Sequence, residues 1–283
     1  MMHLLYIDWN FDPTLISIFG FEIRYYSLMW VLAILIGAKY FELYCKREGL
    51  KPEVSESIFI YGTIGTMLGA RVGHCLFYEP EVYLARPWAI ITEIRDGGLA
   101  SHGAAIGILI GLWLFARRNK LPYLWALDRI MIPTGVGGAL VRLGNLFNSE
   151  IFGTETTLPW GFRFLRSREW INEYAPAACH PTQIYEAICY MITFGVVWVM
   201  YFRYDLARRR PGIMFGAGLI GIFLSRILIE SIKNIQVGFE ANMALNMGQW
   251  LSVPFVLMGI YMVYRGFSRP ALEVAPIKIA KKK

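Results

Sequence analysis

Arg142 and Arg226 both fall inside long apolar runs of the 283-residue chain. A charge at the centre of a membrane helix costs about 2.5–3.5 kcal/mol on insertion scales, so such residues are first candidates for chemistry. On a helix, Asn145 and Ser149 share the face of Arg142 and form a stripe of polar groups beside it. If the helix continues, Asn148 and Glu150 point elsewhere, so either it loosens at Gly144 or those two residues serve a different neighbour. Arg226, Glu230 and Lys233 repeat the theme on one face of a later apolar run. A guanidinium stays charged at any physiological pH, and its planar fork of donors matches phosphate oxygens, so two such arginines suit the capture of a lipid phosphate. The alternative is an internal salt bridge, from Arg142 to Glu150 or Glu230 and from Arg226 to Glu230.

Proton-transfer candidates are fewer. His102, in Asp-Gly-Gly-Leu-Ala-Ser-His-Gly (96–103), opens an apolar run, and an imidazole of ordinary pKa can accept a proton at neutral pH. A lone histidine is more often structural. His180-Pro181-Thr182-Gln183 has the form of a helix entry, with Pro181 at the first helical position and Glu186 in the first turn, where it suits the helix dipole. Tyr25 and Tyr26 suit an interfacial aromatic belt.

The elements that must hold these residues are membrane helices. Hydrophobic residues make up 56% of the chain and charged ones 17%, well under the share in an ordinary soluble domain, and mean hydropathy is +0.43. Runs long enough to cross a bilayer occur at about 25–45, 57–78, 99–116, 124–148, 182–202, 212–232 and 247–266. The expected fold is therefore an all-α polytopic membrane protein of seven transmembrane helices, forming a single integral membrane domain over 1–283.

The charge pattern orients these helices. Of the 28 Lys and Arg, 16 fall on one side of the spans, 7 on the other and 5 within them. The positive-inside rule then places the N-terminus outside and the basic tail, 268–283, in the cytoplasm. The longest outer loop, 149–181, is positioned to cover a site facing the periplasm.

The net charge of +7 collects between apolar runs and not on one face, which argues against nucleic acid and for cytoplasmic loops near anionic lipid. Cys45, Cys75, Cys179 and Cys189 lack metal-ligand spacing, so neither a zinc site nor a disulfide framework is expected. Residues 1–11 carry no basic n-region, so no cleavable signal peptide is expected there. Gly65, Gly69 and Gly73 in one run, and Gly103, Gly107 and Gly111 in the next, are spaced for close helix packing in lipid. Lys39, Arg71 and Arg129 lie near span ends or polar neighbours, where snorkelling is the alternative to function. No inverted repeat of the kind many transporters carry is visible, which weighs against the rival class, a secondary transporter of an anionic solute.

Six blocks occur in order along the chain: Ile-Arg-Tyr-Tyr-Ser-Leu-Met (23–29), Arg-Asp-Gly-Gly-Leu-Ala-Ser-His-Gly (95–103), Arg-Leu-Gly-Asn-Leu-Phe-Asn-Ser-Glu-Ile-Phe-Gly (142–153), His-Pro-Thr-Gln-Ile-Tyr-Glu (180–186), Ser-Arg-Ile-Leu-Ile-Glu (225–230) and Asn-Met-Gly-Gln-Trp-Leu-Ser-Val-Pro (246–254). Together they resemble the phosphatidylglycerol–prolipoprotein diacylglyceryl transferase family, the block at 142–153 being the specific one. The resemblance implies a seven-helix enzyme of the bacterial inner membrane, with its site toward the periplasm. It also implies transfer of diacylglycerol from phosphatidylglycerol to the lipobox cysteine of preprolipoproteins, release of glycerol 1-phosphate, and no cofactor.

Residue by residue, the resemblance points to Tyr26, His102, Arg142, Asn145, Glu150 and Arg226 as catalytic, and to Arg142, Arg226, Asn148, Gly153 and Glu230 as binding phosphatidylglycerol. Ala104, Val141, Ser149 and Cys179 depart from the family's usual residues, and the last removes a possible outer-loop cation.

Overall fold

The computed structural model describes residues 6–77, 80–92, 100–234 and 245–274. Eleven helices run through the described residues, and seven of them have 18 residues or more. These are α1 (Tyr25–Glu48), α2 (Pro52–Phe77), α5 (Ser101–Arg118), α6 (Tyr123–Phe147), α8 (Thr182–Phe202), α10 (Ile213–Glu230) and α11 (Met247–Ser268). The shorter ones are α3 (Pro80–Ala85), α4 (Ala89–Thr92), α7 (Arg168–Glu173) and α9 (Leu206–Arg209). By length and composition α1, α6, α8, α10 and α11 can each cross a membrane. In α5 the basic pair Arg117 and Arg118 falls in the last turn, and α2 carries Arg71 and His74, so these two helices are less apolar than the other five.

Among the described residues the chain is mostly helical, as expected, with four short strands besides. Strands β1 (Ile7–Trp9) and β4 (Phe162–Phe164) pair in parallel, and β2 (Thr14–Ile18) and β3 (Phe21–Arg24) form an antiparallel hairpin. All four lie outside the long helices, where backbone groups have no intrahelical partner and must pair otherwise.

The chain divides into two compact units. One comprises Ala38–Arg129 and Val274–Lys283, the other Met1–Gly37 and Ile130–Glu273. In the first, α2 and α5 meet backbone to backbone. A methyl group built on Gly107 would collide with the Gly65 carbonyl oxygen and stand 2.7 Å from Gly69 Cα, and Gly103 stands against Gly73 in the same way. The glycine stripes are a packing device, as their spacing indicated. Gly107→Ala is expected to cost about 1–3 kcal/mol, the usual range for overpacking. A thermal or SDS unfolding midpoint of the purified protein measures it.

Two buried cations in this unit do not snorkel. Arg129 is buried and forms a bidentate pair with Glu48, its Nη2 lying 2.8 and 2.9 Å from the two carboxylate oxygens. Arg71 donates to the carbonyls of Ile90 and Ala89 and to the Tyr83 hydroxyl, which ties the short helices α3 and α4 to α2. Lys39 is exposed and pairs with Glu42 at its surface.

In the second unit the segment between α6 and α8 folds on a small core, in which Phe152, Phe162, Phe164, Trp170 and Cys179 pack together with Leu146 of α6. Strand β1 lies along its β4 edge, and the Trp9 indole N–H donates to the Leu146 carbonyl at 2.9 Å. That bond satisfies one of the carbonyls a helix end leaves without a partner. Trp9, Phe11, Tyr25 and Phe147 stack around the same point. The C-terminal end of α6 is therefore held from several sides.

Candidate active site

The candidate site is built where α6, α8 and α10 end near one another. Arg142 Nη1 donates to Asn145 Oδ1 at 3.2 Å, one helical turn further on. The helix stops at Phe147, and Ser149 and Ile151 then take left-handed backbone angles, φ 55° and 60°. For a β-branched isoleucine this conformation is strained, at about 1–3 kcal/mol, and surrounding bonds must hold it. They do: Gln183 Nε2 donates to the Glu150 carbonyl at 2.7 Å and Thr182 Oγ1 to the Ile151 carbonyl at 2.8 Å.

The reversal folds Glu150 back over the helix end. There its carboxylate accepts from Asn145 Nδ2 at 2.8 Å and Asn148 Nδ2 at 3.2 Å. Two expectations change as a result. Ser149 is not a member of a helical stripe but a buried turn residue, and Glu150 does not point away but closes onto Arg142's own neighbours. The helix has not loosened at Gly144, whose Cα carries the Tyr26 ring: a methyl group there would stand 2.8 Å from Tyr26 Cδ2.

Beneath this turn runs a chain of alternating charge. Arg142 Nε lies 2.7 Å from Glu186 Oε2, Glu186 Oε1 lies 2.9 Å from Lys233 Nζ, and Lys233 Nζ lies 3.1 Å from Glu230 Oε2. Arg226 Nε ends the chain at a looser 3.8 Å from the same Glu230 oxygen. The Arg142–Glu186 contact is a close ion pair whose N–H is not well aimed at the oxygen, so it compensates charge more than it directs a hydrogen bond.

Glu186 is fully buried, the Arg142 side chain is 14% exposed and that of Arg226 33%. Buried charges persist only when paired in this way. Three cations face two carboxylates along the chain, and its most open member is a cation. Tyr190 faces Arg142 and Arg226 from α8.

Helix α11 supports the far end. Its capping box joins Asn246 and Gln249, the Asn246 side chain donates to the Glu230 carbonyl, and Gln249 Nε2 donates to the Ile227 carbonyl at 3.0 Å. Gly248 stands so close to Glu230 that a methyl group there would meet its carboxylate carbon at 2.6 Å. Gly153 locks the turn to the end of α10: it pairs with Lys233 as an isolated β-bridge, and its N–H donates to the His180 carbonyl at 2.8 Å.

The sequence-derived site residues therefore divide. Arg142, Asn145, Asn148, Glu150, Gly153, Arg226 and Glu230 come together, with Tyr26 packed behind them at Gly144. His102 lies in the first turn of α5, and its side chain falls outside the described residues.

Arg142 does form an internal salt bridge, but to Glu186 and not to Glu150 or Glu230. Glu186 is also no first-turn dipole residue. Pro181 is the N-cap of α8, and Glu186 lies deeper, joining two cations from other helices. Lys233 was visible as the third member of the face expected over 226–233, yet it lies beyond the end of α10 and its bridging role depends on Glu186. Cys179 is buried, and burial pushes its thiol up to about 12; burial likewise lowers the neighbouring His180. At neutral pH this cysteine is a protonated core residue and not a nucleophile.

A family model for prolipoprotein diacylglyceryl transferase matches residues 13–265, spanning every element of this site. The chain belongs to that family. A phosphatidylglycerol–prolipoprotein diacylglyceryl transferase of Porphyromonas gingivalis is 48% identical over 276 residues, covering 95% of this chain and 97% of the relative. One from Bacteroides fragilis is 40% identical over 92% and 95% of the two chains, and one from Chloroherpeton thalassium 38% identical over 95% and 97%. Among members of the prolipoprotein diacylglyceryl transferase family, this chain thus matches relatives over nearly their full length.

Proposed function

We propose that the chain transfers the diacylglyceryl group of phosphatidylglycerol to the lipobox cysteine thiol of preprolipoproteins, the first step of bacterial lipoprotein maturation. The observation that carries this reading is the buried chain of alternating charge ending on the half-open Arg226, with Arg142 at its other end. Fixed cations in a low-dielectric site stabilise charge growing on a phosphate far better than solvated ones.

In the reaction, the cysteine sulfur attacks the glycerol carbon that carries the phosphate. A carbon–sulfur bond forms, the carbon–oxygen bond breaks, and glycerol 1-phosphate leaves with the electron pair. Arg226 and Arg142 bind the phosphate and neutralise that charge. Asn145, Asn148 and Glu150 hold the turn that aims Arg142, while Gly153 and Glu230 fix the end of α10. Incubating the purified protein with phosphatidylglycerol and a lipobox peptide tests the reading. A thioether-linked diacylglyceryl peptide is the expected product, and its absence from folded protein rejects the proposal.

The substrate thiol is a few per cent ionised at neutral pH, so a base gives modest help. His102 is assigned that part, with Tyr26 and Glu150 as alternates. His102→Gln is expected to slow transfer at pH 7 and to recover toward the wild-type rate as the pH passes the thiol's ordinary pKa of about 8.5, where the thiol ionises unaided. A pH–rate profile of both proteins checks this, and a constant deficit at all pH values removes His102 as the base.

The same reading places seven spans in the bacterial inner membrane, α2 and α5 included, as one integral membrane domain. The N-terminus and the 149–181 segment then face the periplasm over the site, and the basic tail from 268 lies in the cytoplasm. Reporter fusions at successive loops test that orientation.

A further inference from the structure

At the opposite end of α10 and α11 from Arg226 lies a second group of cations that the transfer reaction does not use. Arg209, Arg210, Arg265 and Arg269 line one surface cleft of about 160 Å³. The start of α10 at Ile213 and its end at Glu230 are separated by about 26 Å along the helix axis, close to the thickness of a bilayer's hydrocarbon core. The cleft and the candidate active site therefore belong to opposite membrane faces.

The local structure uses only part of this charge. Arg210 Nη1 donates to the carbonyls of Gly266, Phe267 and Arg269, closing the end of α11, and Arg265 Nη1 donates to the Pro211 carbonyl. The C-terminus of a helix contributes only about half a negative charge. Asp205, the acid on the same connection, pairs with Arg208 at 3.1 Å. Among the described residues no carboxylate forms an ion pair with any of the four arginines. Arg209 and Arg269 enter the local hydrogen bonding through their backbone carbonyls, which accept from Leu272 N–H and Arg210, and their side chains are exposed. On the same helix end Tyr264 and Phe267 are exposed, an apolar flank beside the charge.

From this cleft we infer that the protein has a second phosphate-binding site, distinct from the transfer site, which takes the headgroup phosphate of an anionic phospholipid in the other leaflet. Arg209 and Arg269 supply the guanidinium forks, Arg210 and Arg265 add fixed positive charge, and Tyr264 and Phe267 lie against the acyl chains. Basic pockets between membrane helices are a known physical basis for such recognition, and the fork geometry favours phosphate over a single-point contact.

The purified full chain, exchanged into phosphatidylcholine micelles and titrated with dioleoyl phosphatidate, tests this by native mass spectrometry of bound lipid. Wild type is expected to hold two phosphatidates, one at each site, and Arg209→Gln/Arg269→Gln to bind one of them about tenfold or more weakly. Arg226→Gln, altered at the other end of α10, is expected to keep the phosphatidate of the cleft, so that combining the three substitutions weakens both. Because both side chains substituted in the cleft are exposed and donate no hydrogen bond among the described residues, the double variant should retain the wild-type melting temperature. Arg209→Lys/Arg269→Lys, which keeps charge without the fork, should fall between. Millimolar inorganic phosphate distinguishes the source: displacement of the lipid assigns the site to free phosphate as well, and persistence assigns it to the headgroup. Equal phosphatidate binding by wild type and the glutamine variant overturns the inference.

Discussion

Arg142→Ala is expected to lower the rate of diacylglyceryl transfer by about 10²–10³-fold, the range seen when one fixed donor to a developing charge is removed. The same change strips Glu186 of one of its two cations inside the protein, and breaking a buried pair from one side costs about 3–5 kcal/mol. The two effects are separable. Adding Glu186→Gln removes the stranded charge, so the double variant should recover most of the lost melting temperature and none of the lost activity. Recovery of activity in the double variant, or normal turnover in Arg142→Ala alone, would sink the phosphate-binding role. Assays with phosphatidylglycerol and a lipobox peptide, beside thermal unfolding in the same detergent, measure both.

Gly153→Ala is expected to be nearly as damaging although it removes no functional group. A methyl group at this position would collide with the Ile232 carbonyl oxygen and stand 2.7 Å from Thr182 Cγ2 and 2.9 Å from His180 Cβ. The β-bridge to Lys233 must open, along with the bond from Thr154 N–H to the Ile232 carbonyl. Lys233 then shifts, and with it the carboxylates of Glu186 and Glu230. A displacement of about 1 Å at a reacting group can cost about 10²-fold in rate, whereas overpacking alone costs about 1–3 kcal/mol of stability. Gly195→Ala is the control, since nothing lies within 4 Å of a methyl group there. A variant at 153 that lost stability but kept its turnover per folded molecule would show that the bridge does not position Lys233.

The long helices were legible because bilayer thickness sets the length of an apolar run. The run at 182–202 is α8, and 124–148 differs from α6 by one residue at each end. Helix α2 begins at Pro52, ahead of the expected 57, because its first turn is polar and projects beyond the apolar stretch. The strands were not legible. Runs of three to five residues leave little periodic trace, as in the β2–β3 hairpin, and β1 finds its partner only in β4, far along the chain.

In the site, Arg142 and Asn145 were readable as helical neighbours, but the return of Glu150 was not. It depends on left-handed angles at a serine and an isoleucine, where glycine or asparagine would have announced a turn. Glu186 was misjudged for a related reason. A carboxylate near a helix start has an ordinary local explanation, and its actual partners come from two other helices.

The alternating charges also constrain how the protein is made. Arg142 is carried by α6, Glu186 by α8, Arg226 and Glu230 by α10, and Lys233 by the residues that follow it. Arg142 on α6 and Glu186 on α8 have no opposite charge of this cluster on their own helix, whereas Arg226 and Glu230 pair within α10, so Glu186 gains its two cations only when all three helices have met. A chain whose α6 and α8 have not met holds Arg142 and Glu186 apart, an expensive state for ionised groups in lipid. The pairing of Arg142 and Lys233 with Glu186 thus also favours the association of α6, α8 and α10.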